Sequence, residues 1–277
     1  ENMALVEKAI LKAQYANVDT ILFFGGLSEY AESEGFDRPN LSLPYNQAKL
    51  LERLSKYGKR IIFVMYGGSP IDMALEDKVD AILNMYLPGE EGGEATYDLL
   101  FGEVSPSGRL CETWPMNCSD VPFNAEFTQT TNDRYKESIF VGYRYYSSFN
   151  VPVRYPFGYG LSYTSFEYSN LRVKKDREVY RVYVDVKNTG AMAADVVELF
   201  VEAPKTNVVK PLRELRDFKK VYLDAGEETT VSLKVKSDDL RYYINNEWVL
   251  ENGEYQFEIC SDVNTVVLSR PVNIKHG

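Results

Sequence analysis

Histidine is nearly missing from this 277-residue chain, its one copy being His276, and only three cysteines occur, Cys111, Cys118 and Cys260. With no histidine away from a terminus expected to fray, a Ser-His-Asp or Cys-His nucleophile system is excluded, as is a histidine-based metal site. The cysteines are odd in number and lack metal-ligand spacing, so no metal is expected. They read as reduced and structural, which favours a cytoplasmic protein over a secreted or periplasmic one. Long apolar runs are also missing, so no segment is expected to span a bilayer, and no signal peptide stands at Glu1. Positive charge is in deficit: 31 Lys and Arg against 41 Asp and Glu leave a net charge of −10. That balance disfavours nucleic acid and anionic membranes as partners. Neither a G-x-G-x-x-G nor a Walker pattern occurs, so no nucleotide cofactor is expected. Catalysis, if present, must run on carboxylates, Tyr, Lys or Arg.

What is there suffices for two domains, with hydrophobic residues at 44% and charged residues at 26%. The first half alternates helix and strand. Asn2 to Ala16 carries Leu5, Val6, Ala9, Ile10, Leu11 and Ala13 on a helical period, and the apolar strand Asp19 to Phe24 follows. A helix is predicted over Asn46 to Lys56, entered through Pro44, and buried parallel strands over Arg60 to Tyr66 and Asp80 to Met85. A further helix is predicted over Gly92 to Phe101. Strands that each end in a glycine turn and lead to a helix point to an α/β layered domain with a mostly parallel sheet. Three strands are few for such a sheet, and a further strand is expected upstream of Glu1. From Phe166 the apolar period becomes two, as in Tyr180, Val182, Val184 and Val186. Short strands continue at Val196 to Val201, Lys219 to Leu223, Thr229 to Val235, Glu254 to Ile259 and Val266 to Val272. The Tyr180 to Val186 run ends at the turn Asn188-Thr189-Gly190, and the separators are Ala225-Gly226-Glu227, Asn252-Gly253 and Ser261-Asp262. This spacing is the signature of an all-β immunoglobulin-like sandwich. The division predicted is 1–120 for the α/β domain, 121–165 for an aromatic connector and 166–277 for the sandwich.

The candidate chemistry lies in Glu32-Ser33-Glu34-Gly35-Phe36-Asp37-Arg38, just after the apolar run that ends in Gly25-Gly26. Loops at the carboxyl ends of parallel strands are where α/β proteins place their sites. The stretch has two carboxylates two residues apart, a glycine that frees the backbone, and an Asp37-Arg38 pair suited to fixing the loop. A carboxylate held partly desolvated can donate a proton near neutral pH. The plain alternative is a solvated acidic surface loop. The aromatics Tyr143, Tyr145, Tyr146, Phe157, Tyr159 and Tyr163 suit either stacking on a sugar ring or, the reading preferred, packing at the interdomain seam. Trp114 and Trp248 read as packing residues.

At these residues the chain resembles glycoside hydrolase family 3, the β-glucosidase family. The resemblance is carried by Glu34-Gly35-Phe36-Asp37-Arg38 with Leu41-Ser42-Leu43-Pro44, and by Pro88-Gly89-Glu90-Glu91-Gly92-Gly93-Glu94-Ala95 continuing through Gly102 to Leu110. It continues in Val141-Gly142-Tyr143-Arg144-Tyr145-Tyr146 and in Pro156-Phe157-Gly158-Tyr159-Gly160-Leu161-Ser162-Tyr163-Thr164. The end of the chain, including Asn188-Thr189-Gly190 and Ala225-Gly226-Glu227, is similar to the family's fibronectin type III-like domain. The matches come in family order and cover nearly the whole chain. The resemblance implies that Glu34 is the general acid/base of a retaining glycosidase acting on terminal β-D-glucosyl residues, without a cofactor. In the family the nucleophile is an aspartate on a (β/α)8 barrel, before or after this region, and no barrel pattern is found in this chain. Retaining chemistry needs its two carboxyl groups roughly 5–5.5 Å apart, so a barrel partner must supply the second and the isolated chain is expected to be inactive. Glu32 is expected to cap or solvate the loop. The implied partners are a β-glucoside or oligosaccharide substrate and the barrel, and a homo-oligomer is compatible with the reading. The alternative is a non-catalytic carbohydrate-binding or scaffolding module of the same architecture.

Overall fold

Ten apolar side chains between Ile10 and Met73 sink below a tenth of their exposed area and organise the first half of the chain. The structure is a computed structural model, and it describes residues 3–16, 18–126, 132 and 134–275; the expectation for His276 falls outside these. The chain divides into two compact units, Glu1–Leu100 with Met116–Val121, and Phe101–Pro115 with Pro122–Gly277.

In the first unit, α1 (Met3–Tyr15), β1 (Thr20–Gly26), α2 (Gln47–Ser55), β2 (Arg60–Tyr66), β3 (Ala81–Asn84) and α3 (Gly92–Phe101) follow in order. The strands form one sheet, β1-β2-β3, with both pairings parallel. Strand β2 is central, and its run Arg-Ile-Ile-Phe-Val-Met-Tyr buries side chains on both faces, as a parallel strand covered by helices must. Ile61, Phe63, Val64 and Met65 pack with Leu51 and Leu54 of α2 among the buried core residues. At the sheet's lower end the Asp80 carboxylate accepts the Ile61 N–H at 2.7 Å. Among the described side chains of helix α1 only Ile10 is buried, while Leu5 and Leu11 are exposed, so its apolar period is only partly used.

The second unit begins with β4 (Trp114–Pro115), α4 (Tyr143–Ser148) and β5 (Val153–Tyr155), with β4 antiparallel to β5. Seven further strands build two sheets: β6 (Phe166–Asp176), β7 (Val179–Asn188), β8 (Ala193–Glu202), β9 (Glu214–Leu223) and β10 (Glu228–Lys236), then β13 (Gly253–Asp262) and β14 (Thr265–Ile274), with the small hairpin β11 (Tyr242–Ile244) and β12 (Glu247–Val249) between them. The sheet orders are β10-β7-β6 and β14-β13-β8-β9, all antiparallel. Their facing sides supply one core: Tyr180, Val182, Val184 and Val186 from β7, Val231, Leu233 and Val235 from β10, and Val197, Leu199, Phe257 and Ile259 opposite. The fold class is therefore the expected one, an α/β layer and an all-β sandwich.

Strand β8 departs from simple alternation, because all ten of its positions are wholly or partly covered, on both faces. The outward Phe200 sits under Tyr143, at 5.9 Å between ring centroids, and Phe157, at 6.4 Å. Tyr143 and Phe157 also meet, tilted by 36°, at 4.9 Å between centroids. Two aromatics of the expected connector, Tyr143 and Phe157, thus pack onto the sandwich inside the second unit, and Tyr143 takes a further hydrogen bond from the Leu215 N–H at 3.0 Å. Trp114 is buried edge-on to Tyr155, as expected. Trp248 is not: it stands 63% exposed on its hairpin beside Tyr243, so the packing expectation fails there. The hairpin turn places Asn245 and Asn246 both at positive φ, which asparagine tolerates best after glycine. No disulfide joins the cysteines; Cys260 is buried, which raises its thiol to about 12, while Cys111 is exposed and has no core role.

Candidate functional site

The site is built at the carboxyl ends of β1 and β2. Strand β1 closes on Gly26, whose backbone lies at φ +131° and whose missing Cβ would stand 1.8 Å from the Tyr66 carbonyl oxygen. Only glycine fits that approach. Gln47, at the start of α2, completes the strand end as a peptide group would: its Oε1 accepts the Gly26 N–H and its Nε2 donates to the Gly26 carbonyl, both at 2.8 Å. The chain then turns through Ser28, whose carbonyl accepts the N–H groups of Ala31 and Glu32 at 2.8 and 2.9 Å.

Glu34 and Gly35 form the tip of a tight turn closed by an isolated bridge between Ser33 and Phe36. The Phe36 N–H reaches the Ser33 carbonyl at 3.5 Å, a long and weak bond. Glu34 is exposed and makes no hydrogen bond or ion pair with the described residues. The partial desolvation expected for a proton donor is therefore not supplied by this unit. Gly35 also differs from expectation: its φ is not left-handed and a Cβ there would meet nothing within 4 Å, so neither conformation nor space within the unit demands glycine.

The expected Asp37–Arg38 pairing does not form. Arg38 turns away from its exposed neighbour and donates through Nη1 to Ser69 Oγ at 2.9 Å and to the Pro70 carbonyl at 2.8 Å. Burial lowers the pKa of its guanidinium, opposed chiefly by the nearby Glu32 carboxylate. Glu32 is half-buried rather than solvated. Its Oε2 accepts the Gly68 N–H at 2.6 Å and its Oε1 accepts the Ser69 hydroxyl. The two carboxylates of the acidic stretch thus have different fates: Glu32 is committed to the β2 loop, and Glu34 is left open.

Beside the turn lies an open cleft of about 500 Å³, walled by Tyr30, Phe36, Arg38, Leu43 and Tyr45. Tyr30, Phe36 and Tyr45 are each at least half exposed, so the cleft offers aromatic faces and the guanidinium side to a ligand. Its chemistry suits a neutral polyhydroxy molecule, whose C–H faces stack on rings and whose hydroxyls take scattered polar contacts. No group of three or more His, Cys, Asp or Glu among the described residues is arranged to hold a metal ion.

The glycosyl hydrolase family 3 C-terminal domain matches residues 6–163, and the fibronectin type III-like domain matches residues 195–263. The chain belongs to glycoside hydrolase family 3. It is 40% identical over 284 residues to thermostable beta-glucosidase B of Acetivibrio thermocellus, covering 99% of this chain and 38% of that relative. It is 38% identical to an exo-alpha-(1->6)-L-arabinopyranosidase of Bifidobacterium breve, over 92% of this chain and 34% of that protein. The crystal structure of the Bifidobacterium adolescentis GH3 beta-glucosidase superposes with a TM-score of 0.91 at 36% identity, covering 99% of this chain and 41% of that one. The Kluyveromyces marxianus beta-glucosidase in complex with glucose superposes with a TM-score of 0.94 at 31% identity. This family 3 chain spans well under half the length of these relatives.

Sequence reasoning singled out Glu34 and Arg38 but not Ser69 and Gln47, which hold the loop and the strand end. The signal for Ser69 was present in Gly67-Gly68-Ser69-Pro70, which follows a strand on the same sheet end as the acidic loop.

Proposed function

We propose that this chain is the non-barrel part of a retaining β-glucosidase that hydrolyses terminal β-D-glucosyl residues, and that Glu34 is its general acid/base. A (β/α)8 barrel elsewhere in the enzyme carries the aspartate nucleophile. Glu34 protonates the glycosidic oxygen as the bond to the anomeric carbon breaks, then takes a proton from the water that releases the sugar from the nucleophile. One observation carries the choice of residue: both oxygens of Glu32 are held by Gly68 and Ser69, whereas the Glu34 carboxyl is unengaged at the tip of a turn. A group that must both give and receive a proton cannot be locked into structural hydrogen bonds. The desolvation that raises a catalytic acid's pKa comes, in this reading, from the barrel and substrate closing over the turn. Relatives of similar identity act on different sugars by name, one a beta-glucosidase and one an arabinopyranosidase. That supports a shared proton-transfer role for this part, with the sugar chosen by the barrel.

The test is Glu34→Gln in the full-length enzyme. Alkyl β-glucosides, whose leaving groups need a proton, should lose about 10²–10⁴-fold in kcat/KM. The first step on dinitrophenyl glucoside should survive, and azide should rescue turnover by replacing the base-activated water. The 277-residue chain alone should release no aryl alcohol. Equal losses on both substrates without azide rescue, or turnover by the isolated chain, would refute the assignment.

A further inference from the structure

We infer that Glu32, Ser69 and Arg38 form a clamp whose role is to position Glu34 for proton transfer, Ser69 being its hub. The inference rests on Glu34 being the acid/base. The Glu34 turn has little holding it from within: one backbone bond of 3.5 Å closes it, and Gly35 contributes no side chain. Its location is instead set from both flanks. Upstream, Glu32 binds the Gly68 N–H at 2.6 Å and the Ser69 hydroxyl; downstream, Arg38 binds Ser69 Oγ at 2.9 Å and the Pro70 carbonyl at 2.8 Å. The Ser69 oxygen accepts from Arg38 while its proton goes to Glu32, so the two charges meet through one hydroxyl. Charge-assisted bonds of this kind are roughly twice as strong as neutral ones.

The anchor itself is firm. Gly67 donates its N–H to the Tyr86 carbonyl at 3.0 Å, which ties the loop after β2 to the end of β3. Glycine at position 68 leaves the carboxylate room to reach that N–H, since a Cβ there would stand a tight 3.2 Å from Glu32 Oε2. The five residues 33–37 are therefore strung between two fixed points on one rigid segment. Loosening either end moves a carboxyl that must meet the leaving oxygen within hydrogen-bond range, and misplacement of about 1 Å costs about 10²-fold in rate.

In the full-length enzyme, Ser69→Ala and Arg38→Lys should each lower kcat on an alkyl β-glucoside by ~10- to 100-fold with KM little changed. Dinitrophenyl glucoside, which needs little protonation, should lose far less in its first step. Ser69→Thr keeps the hydroxyl and should restore both rates. Amide hydrogen exchange over residues 33–36 should quicken in Ser69→Ala and not in Ser69→Thr. Equal losses on both substrates, unchanged rates, or unchanged exchange in Ser69→Ala would overturn the clamp. Glu34→Gln, run in parallel, separates the two claims. If it shows the leaving-group dependence and Ser69→Ala does not, the clamp alone falls. If it shows none, the acid/base reading falls and takes the clamp with it.

Discussion

Glu198, on the covered face of β8, should make the sandwich less stable as the solution becomes more alkaline. The carboxyl is 4% exposed, its Oε2 has no hydrogen-bond partner, and the backbone of Gly158 lies so close that a Cβ there would come within 2.4 Å of that oxygen. Burial pushes its pKa from 4.5 up to about 7; Arg109 pulls the other way, and Asp262 and Asp195 add to the rise. Below about 4.5 the proton is bound in both the folded and unfolded states. Between 4.5 and about 7 only the folded state holds it, so unfolding releases a proton and stability falls with rising pH. Each pH unit of separation corresponds to about 1.4 kcal/mol, so the whole window amounts to about 3 kcal/mol. Glu198→Gln mimics the protonated acid and removes this dependence. Urea unfolding from pH 4.5 to 8.5, followed by tryptophan fluorescence, reports on this unit because both Trp114 and Trp248 lie in it. The difference between wild type and variant, which cancels every other titration, should swing toward the variant by about 3 kcal/mol between the two ends of the range. A difference that stays constant with pH would refute the reasoning.

Two further outcomes are expected. Arg109 donates to the carbonyls of Gly160 at 2.8 Å and Ser261 at 3.2 Å and pairs with Asp195, which also accepts a hydrogen bond from the Tyr168 hydroxyl. Arg109→Ala strands a buried carboxylate and should cost about 3–5 kcal/mol in denaturant unfolding, and a loss under 1 kcal/mol would show that water replaces the guanidinium. Gly26→Ala forces a Cβ into the Tyr66 carbonyl at a left-handed φ, so the first unit should melt several degrees lower or fail to fold, while the sandwich unfolds as in wild type.

The parts of the fold legible from sequence are those where periodicity was unbroken. Strand β2 and helix α3 were expected with the bounds they have, because a continuous apolar run flanked by glycine turns leaves little choice. Strand β6 went unlisted because its alternation slips: Phe166 and Tyr168 pack against the core, then Leu171 and Val173 do, with a register break between Ser169 and Arg172 and Asn170 at φ +53°. The hairpin at Asn245-Asn246 was missed because its strands are only three residues long. At the site, Glu34 was singled out through the likeness of its neighbours to a family, while Arg38 was paired with the wrong residue. Adjacent opposite charges in sequence invite pairing, but successive side chains in an extended segment diverge, and Arg38 meets its partners 31 and 32 residues away.

Sequence alone determined the two architectures, the near-absence of histidine and the place of the acidic loop after a strand. Each follows from local information: hydrophobic period, turn residues, and which titratable side chains exist at all. Tertiary structure decided what the loop's charges do. Parallel strands bring the ends of β1 and β2 to one edge of the sheet, and that juxtaposition commits Glu32 and Arg38 to Ser69 while leaving Glu34 open. It likewise decided that Tyr143 and Phe157 cover the sandwich, since the need to bury the outward face of β8 is visible only once its neighbours on both sides are in place.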